Sequence, residues 1–480
     1  MRGSDARQFV KAARQMRVLL AVLENSHNET AHPRRKKGQR CPPFFGPVLF
    51  IFKICRTVSR GAIEKRSAQT AITVRCAPVS DQSRYVGERR IPAMAQERGN
   101  TMNRLLIGWV AAVVAAVPLC AQSMADMDVQ VHGYAAQGFL YTTHNNIFYA
   151  DSSDGSPAWT EAVVNVTAQP NDKLRVGVQA RYQLLGDSGN AITMDWAAAD
   201  YRVNDYLGVR FGKVKTPSGL FNETQDLDPT YMWALLPQSV YDITTRNADL
   251  AHYGGVVYGS WNLGEAAGKV EYRFWGGESV IPTNDGQFSD LNAAGNGPTN
   301  AFVYPQFGGA LHWKTPLAGL MIGASDARAE AASVSLNGGS ENFAAWNNLS
   351  YFGQYTWKKL MVAAEWNRQA SPGTLILTDQ PVSSISTDTR GWYGMATYKL
   401  TSKLSVGAYV SQFFDHYAPL STDRFTKDWT ISGRYDVNEF IYIKAEEHFI
   451  DGTALSLDNL HNTTLVPRYD LTALRVGVSF

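Results

Sequence analysis

Leu474-Arg475-Val476-Gly477-Val478-Ser479-Phe480 closes the chain, and the reading of this stretch decides the fold class. Leu474, Val476, Val478 and Phe480 fall on one side of an extended strand, and Arg475, Gly477 and Ser479 on the other. That two-residue period is expected where lipid wets one face of a strand and water the other. The pattern occupies the last eighteen residues, from Thr463, and stops on an aromatic side chain.

The same alternation recurs back to about Val129. In its clearest copy Leu174, Val176, Val178, Ala180 and Tyr182 interleave with Arg175, Gly177, Gln179, Arg181 and Gln183. A soluble sandwich also alternates, but it buries its apolar face and has no need of aromatic residues near strand ends. Here Trp196, Tyr201, Tyr206, Trp261, Trp275, Trp313, Trp357, Trp366, Trp392 and Trp429 suit the girdles that flank a hydrocarbon layer.

The formal charge of +2 over 480 residues conceals two segments of opposite sign. Residues 1–125 hold 21 Lys+Arg against 7 Asp+Glu, whereas residues 126–480 hold 24 against 36. All four cysteines, Cys41, Cys55, Cys76 and Cys120, precede the divide, and a cysteine-free remainder suits an oxidising compartment. At the junction Met102-Asn103-Arg104 leads into seventeen mostly apolar residues, Leu105 to Ala121, with small-residue exits at Ala121 or Ser123-Met124-Ala125. Residues 102–125 therefore read as a secretory signal peptide; the short run and Pro118 argue against a single transmembrane anchor. Lipoprotein processing at Cys120 needs a small residue where Leu119 stands. The preceding 1–101, with Arg34-Arg35-Lys36-Lys37, reads as a disordered, over-extended start, the alternatives being a nucleic-acid-binding arm or a cytoplasmic tail.

Tight connections fall near Pro170-Asn171-Asp172, Asn204-Asp205, Gly264 to Gly268, Pro316 to Gly319, Lys358-Lys359, Thr401-Ser402 and Asn438-Glu439. Between them lie eight longer polar stretches, at 144–157, 186–191, 218–248, 280–298, 333–346, 373–388, 416–423 and 453–462. Seven turns and eight loops connect sixteen strands, or eighteen if a long loop such as 218–248 conceals a hairpin. At this strand number a barrel is wide enough for an aqueous channel. Residues 126–480 are thus expected to form an all-β domain, a transmembrane antiparallel β-barrel of about sixteen strands with a long inward-folded constriction loop. The loop is expected at 218–248, too apolar for a wholly solvated segment, with Phe221, Asn222, Glu223, Asp226 and Asp228 as its candidate constriction residues. Packing on a neighbouring subunit or over the barrel mouth is the alternative.

Gly133-Tyr134-Ala135-Ala136-Gln137-Gly138-Phe139-Leu140 with Asn145-Asn146, then Lys173-Leu174-Arg175-Val176-Gly177, Asp195-Trp196-Ala197 and Asp200-Tyr201 carry a resemblance. Gly212-Lys213-Val214-Lys215-Thr216-Pro217, Gly219-Leu220-Phe221-Asn222-Glu223-Thr224 and Leu236-Pro237-Gln238-Ser239 extend it. The chain resembles the porins related to phosphate-selective and dicarboxylate-type outer-membrane channels, most strongly over 130–245 and as a strand pattern down to Phe480. The resemblance implies a trimer of sixteen-stranded barrels with an inward constriction loop. It does not transfer a substrate, since the family's lysine and arginine ladder does not align residue by residue. The final Phe480 also resembles the assembly signal of such barrels.

Alternation places Arg175, Arg181, Arg210, Arg273, Arg434, Lys444 and Arg475 on the inward face with Glu271 and Glu446, alongside Asp428, Asp436 and Glu365. Charges point inward in any barrel, because an Arg in mid-membrane on the lipid face costs roughly 2–4 kcal/mol. As a set they create a transverse field that selects ions and orients dipolar solutes. Its sign is open: inward arginines favour anions, while loop carboxylates such as Asp151, Asp154, Asp226 and Asp228 draw cations to the mouth. Lys213 and Lys215 share a face with each other and not with Arg210, so an inward position needs a bulge.

The expected function is passive diffusion of small hydrophilic solutes, with anions such as phosphate or dicarboxylates as candidates, in the bacterial outer membrane. Outer-membrane lipids, the solutes and two further copies are the expected partners; nucleic acid, cofactor and metal are not expected. The rival is an outer-membrane lipase or protease. The scattered His132, His144, His252, His312, His416, His448 and His461 offer it no metal spacing, and there is no Gly-x-Ser-x-Gly elbow. An adhesin mount is a third class, and about 355 residues are too few for a plugged transporter.

Overall fold

The computed structural model describes residues 128–418, 421–455, 457 and 461–480, the side chains of 188–190 aside. The readings of 1–101 and 102–125 lie outside the described residues.

Sixteen antiparallel strands, each paired with its sequence neighbour in the wall, close into a barrel. They are β1 (Asp128–Thr142), β2 (Ser156–Asn171), β3 (Leu174–Leu185), β4 (Gly189–Arg202), β5 (Gly208–Lys215), β6 (Ala251–Asn262), β7 (Lys269–Ile281) and β8 (Phe302–Lys314). The second half comprises β9 (Leu320–Ala329), β12 (Trp346–Trp357), β13 (Leu360–Ser371), β16 (Thr387–Lys399), β17 (Leu404–Asp415), β18 (Phe425–Asp436), β19 (Ile441–Gly452) and β20 (Arg468–Ser479). Closure comes from β1 against β20, from Tyr134 opposite Ser479 to Thr142 opposite Leu471. Gly133 and Phe480 exchange backbone hydrogen bonds of 3.0 and 2.9 Å beyond it, so the terminal aromatic residue fastens the seam.

All seven expected turns and all eight expected loops are connections of this wall. The eighteen-strand alternative fails: the 218–248 stretch adds no strand. The four additional strands, β10 (Ala332–Leu336), β11 (Gly339–Phe343), β14 (Gly373–Leu377) and β15 (Ser383–Ser384), form a separate small sheet outside the wall, with β10 also bridged through Leu336 to Pro298. That sheet is built from two outer loops.

The two-residue period sorts the side chains as the sequence requires. Leu474, Val476 and Phe480 stand outward and exposed, while Arg475 is 2 % exposed on the inner face. Tyr201, Tyr206, Trp261, Trp313, Trp357, Trp392 and Trp429 are exposed on the outside, fitting aromatic girdles. Two expected girdle residues turn inward by parity with their charged neighbours. Trp275, in phase with Arg273, is buried, and Trp196, in phase with Asp200, lies beneath the Lys215 ammonium, 5.6 Å from its ring.

Candidate functional site: the loop across the barrel

Strand β5 stops at Lys215, and residues 216–250 fold inward before β6 begins. Left-handed backbone at Gly219 (φ 65°) helps the entry, and a short helix, α1 (Arg246–Leu250), ends the excursion. The loop is held on several sides. Its apolar residues fill gaps between inward side chains: Ala234 and Leu235 pack with Leu140, Trp159 and Leu471, while Phe221, Met232, Trp233 and Tyr241 pack with Tyr393, Met395 and Tyr409. Burial of this kind, at about 25 cal/mol per Å² of apolar surface, explains why so apolar a segment does not remain in solvent.

Polar anchors fix its position. Glu446 accepts the backbone N–H groups of Ala234 (2.7 Å) and Leu235 (2.9 Å), and Glu365 accepts from Leu220 N–H (3.2 Å), Tyr241 Oη (2.5 Å) and Tyr393 Oη (3.0 Å). Asp228 lies between Lys444 Nζ at 3.0 Å and Arg475 Nε at 3.2 Å. Lys444 also donates to the carbonyls of Asp228 and Trp233, both at 2.8 Å, and Arg434 donates to those of Pro229 and Tyr231, both at 2.6 Å. Asn222 bridges the loop's two ends by donating to the carbonyls of Thr216 and Asp249 at 2.8 Å. Asp226 accepts from Lys215 Nζ (2.7 Å) and Gln179 Nε2 (2.8 Å).

Three further wall residues complete the frame. Arg181 lies 3.3 Å from Asp195 and 3.5 Å from Glu161, and Glu161 receives Arg475 Nη2 at 2.5 Å. Arg246 of α1 forms a two-pronged pair with Asp195 at 3.1 and 3.0 Å; its Asp195 partner holds its guanidinium firmly protonated against burial. Asp195 occupies a bulge, where Gln179 faces Trp196 but Ala180 faces Met194. The irregularity leaves the Met194 carbonyl to Lys213 Nζ at 2.6 Å, while Lys215 reaches Asp226 of the loop.

A second set of charges faces water. Asp200, Arg210, Glu223, Arg273, Glu271 and Lys314 follow one another with alternating sign at 3.0, 2.7, 3.2, 3.6 and 2.5 Å. Glu223, from the loop, is the central carboxylate, and its side chain is 25 % exposed. Arg210 also stacks over Tyr258, 4.8 Å from the ring centre, and Tyr258 donates to Asp200 at 2.5 Å. Arg175 is exposed near the β2–β3 turn with a weak contact to Thr167 at 3.5 Å, and Asp436 pairs with Arg434 at 2.8 Å.

Most of the charged residues that alternation turns inward fall into two environments. Arg181, Lys444, Arg475 and Glu446 are buried where wall meets loop, whereas Arg210, Arg273 and Glu271 border water together with Glu223. Asp428 lies apart in the β17–β19 wall, 3.0 Å from His448 Nδ1 and 2.9 Å from Thr430 Oγ1. Sequence reading missed Glu161 and Arg246. Glu161 shares its face with Trp159 and Val163 and was legible by parity; Arg246 sits in a loop, where no periodicity reports direction. Among the described residues no group of three or more His, Cys, Asp or Glu is arranged to hold a metal.

A closed sixteen-strand barrel with an apolar outer face and aromatic rims defines a class, the transmembrane β-barrels of the bacterial outer membrane, and this chain is one of them. No protein-family model matches it, and no curated protein matches it. Solved barrels resemble it distantly. An anion-selective porin from Comamonas acidovorans is 11 % identical, with 74 % of this chain and 99 % of that one covered and a TM-score of 0.47. The outer membrane channel DcaP of Acinetobacter baumannii is 12 % identical, covers 74 % and 98 %, and has a TM-score of 0.45. OmpT, an outer membrane protein of Vibrio cholerae, gives 12 %, 74 %, 98 % and 0.47.

Proposed function

We infer that the protein is a porin, a passive diffusion channel for small hydrophilic solutes with no enzymatic activity, working as a homotrimer. The observation that carries this reading is the water-facing chain from Asp200 to Lys314, which meets the inward loop at Glu223. Alternating charges beside a narrowed passage give a transverse field suited to screening ions and orienting dipolar solutes without binding them tightly. Arg210 and Arg273 flank Glu223 of the loop, so a mobile anion such as phosphate or a dicarboxylate competes with Glu223 for two guanidinium groups. On this reading the two guanidinium groups give the channel a mild anion preference.

The trimer reading draws support from a polar pair on the outer face of β1 and β2. Thr160 Oγ1 donates to Gln137 Oε1 at 2.7 Å, on the face whose other members include Phe139 and Val164. Amide and hydroxyl groups are better accommodated against protein than against acyl chains.

The test is planar-bilayer recording of the purified protein in a tenfold salt gradient. Stepwise ohmic currents with a reversal potential on the anion side, reduced by added phosphate or dicarboxylate, are expected. Barrels that insert and stay silent would overturn the channel reading.

A further inference from the structure

The outer face of β13 and β16–β19 is not uniformly convex. In register across these strands run Ala364, Gly394, Val410, Trp429 and Phe449, and beside them Ala396, Ala408 and Ile431. Small residues at Gly394, Ala396 and Ala408 form a floor, and the rings of Trp429 and Phe449 form a wall, around an apolar groove of about 530 Å³. A Cβ built at Gly394 meets nothing within 4 Å, so the depression is real space and not a packed contact.

Cations stand at the outer end of this groove. Two residues beyond Trp429 on the same face is Lys427, whose ammonium lies over the Phe425 ring at 4.9 Å. Among the described residues it has no carboxylate within 4.0 Å. Two residues beyond Trp392 is Arg390, which shares Asp388 with Arg368 at 3.6 and 2.7 Å; both guanidinium side chains remain more than 40 % exposed. Arg468, exposed, touches Asp451 only at 3.6 Å. Asp470, in register with Phe449, and Glu447, in register with Ile431, share this outer face with Asp388 and Asp451, so the cation left over is Lys427 and not the set as a whole.

We propose that this face binds a phosphorylated glycolipid of the outer leaflet, one acyl chain lying in the groove and a phosphate seated on Lys427 and Arg390. An acyl chain satisfies the apolar floor, and the phosphate satisfies Lys427, which has no carboxylate within 4.0 Å among the described residues, together with Arg390, whose contact with Asp388 is 3.6 Å. A second copy of the chain fits less well, because a like face would oppose cation to cation. The proposal is independent of the channel reading; it needs only the outer-membrane barrel.

The experiment is native mass spectrometry of the full chain, extracted from outer membranes, delipidated in mild detergent and titrated with bis-phosphorylated lipid A, dephosphorylated lipid A or inorganic phosphate. The phosphorylated glycolipid is expected to bind, with at least tenfold weakening by Gly394→Trp, which fills the groove. Lys427→Glu is expected to weaken the phosphorylated form several-fold and to leave the dephosphorylated form unchanged. It alters an exposed side chain, so the test survives if Gly394→Trp fails to fold. Equal binding by wild type and folded Gly394→Trp would overturn the proposal. So would equal affinity for both lipids, full competition by inorganic phosphate, or a change in copies per particle on filling the groove.

Discussion

Lys444 of β19 places Nζ 3.0 Å from Asp228 Oδ1 of the lumen loop, with the lysine side chain fully buried. The pair is tied to its surroundings on both sides. Arg475 reaches the same carboxylate at 3.2 Å, and Tyr442 donates to its other oxygen at 2.5 Å. Asp228 is therefore the carboxylate on which two wall cations converge.

Replacing Asp228 by Asn leaves Lys444 and Arg475 without their shared countercharge in a water-poor space. Losing one partner of a buried pair costs about 3–5 kcal/mol, far more than an exposed pair is worth. The loop should detach from β18–β20 while the ladder of the wall survives. Single-channel records of Asp228→Asn are expected to show larger, noisier steps than the native protein, with the folded barrel retained on unheated gels. Steps of native size and quietness would show that the apolar contacts alone hold the loop.

Glu223 offers a different test, since it sits at water's edge between Arg210 Nη1 at 2.7 Å and Arg273 Nε at 3.2 Å. Glu223→Gln keeps its shape and removes one negative charge from the chain of alternating sign. The reversal potential in a salt gradient should move toward anions. Arg210→Gln should move it the other way, leaving Asp200 and Glu223 less well neutralised. Because these groups are partly hydrated, both shifts should shrink at high ionic strength, where the screening length falls to about 3 Å.

The wall was legible in the sequence for a simple reason: a strand offers two faces, lipid and water demand opposite polarity, and so the side chains at Leu474 to Phe480 declare their direction one by one. The turns were legible because Pro, Gly, Asn and Asp cluster where strands reverse. The loop's inward course could be argued from Leu235, Leu236 and Tyr241, which are too apolar to stay in solvent. What periodicity could not report is which inward charges would be covered. Arg181 and Arg210 obey the same parity, yet α1 and its Asn247 lie against the first, while the second faces water beside Glu223. That difference is set by where a non-periodic loop comes to rest. The bulge at Asp195 was equally silent, since one added residue in a ladder leaves no compositional mark.

Asp285 links the loop to its extracellular neighbour. It is 2 % exposed, accepts from Asn247 Nδ2 at 2.9 Å and caps the following turn by accepting from Gln287 N–H at 3.2 Å. Burial raises its pKa above the ordinary aspartate value. A carboxyl raised in the folded state favours folding when protonated: the advantage is complete below the ordinary range and is lost as pH climbs through the raised value. Amide hydrogens of α1 should therefore be better protected at about pH 4 than at about pH 8, after correction for intrinsic exchange. Asp285→Asn should flatten the dependence, and an unchanged slope in that variant would assign the effect to another group.

Close approach between loop and wall gives the sharpest steric test. Gly391 of β16 lies so near the loop that a Cβ there would fall 1.9 Å from the Ser239 carbonyl oxygen and 2.7 Å from Asn367 Oδ1. Ser239 in turn donates its hydroxyl to the Trp392 carbonyl at 3.1 Å, so the backbone of the loop rests directly on the strand. A side chain at 391 cannot be absorbed by a rotamer change, because the obstacle is backbone; the loop must move or the strand must bow. Gly391→Val should therefore lift the Pro237–Tyr241 segment and loosen the Glu365–Tyr241 contact of 2.5 Å next to it. The expected readout is increased proteolytic cleavage within 236–242 and a lower urea midpoint for the refolded barrel. Gly394→Val, whose Cβ would meet nothing within 4 Å on the outer side of the same strand, is the control that should leave both unchanged. Matching behaviour of the two variants would trace the effect to strand propensity at these glycines and not to the loop resting on Gly391.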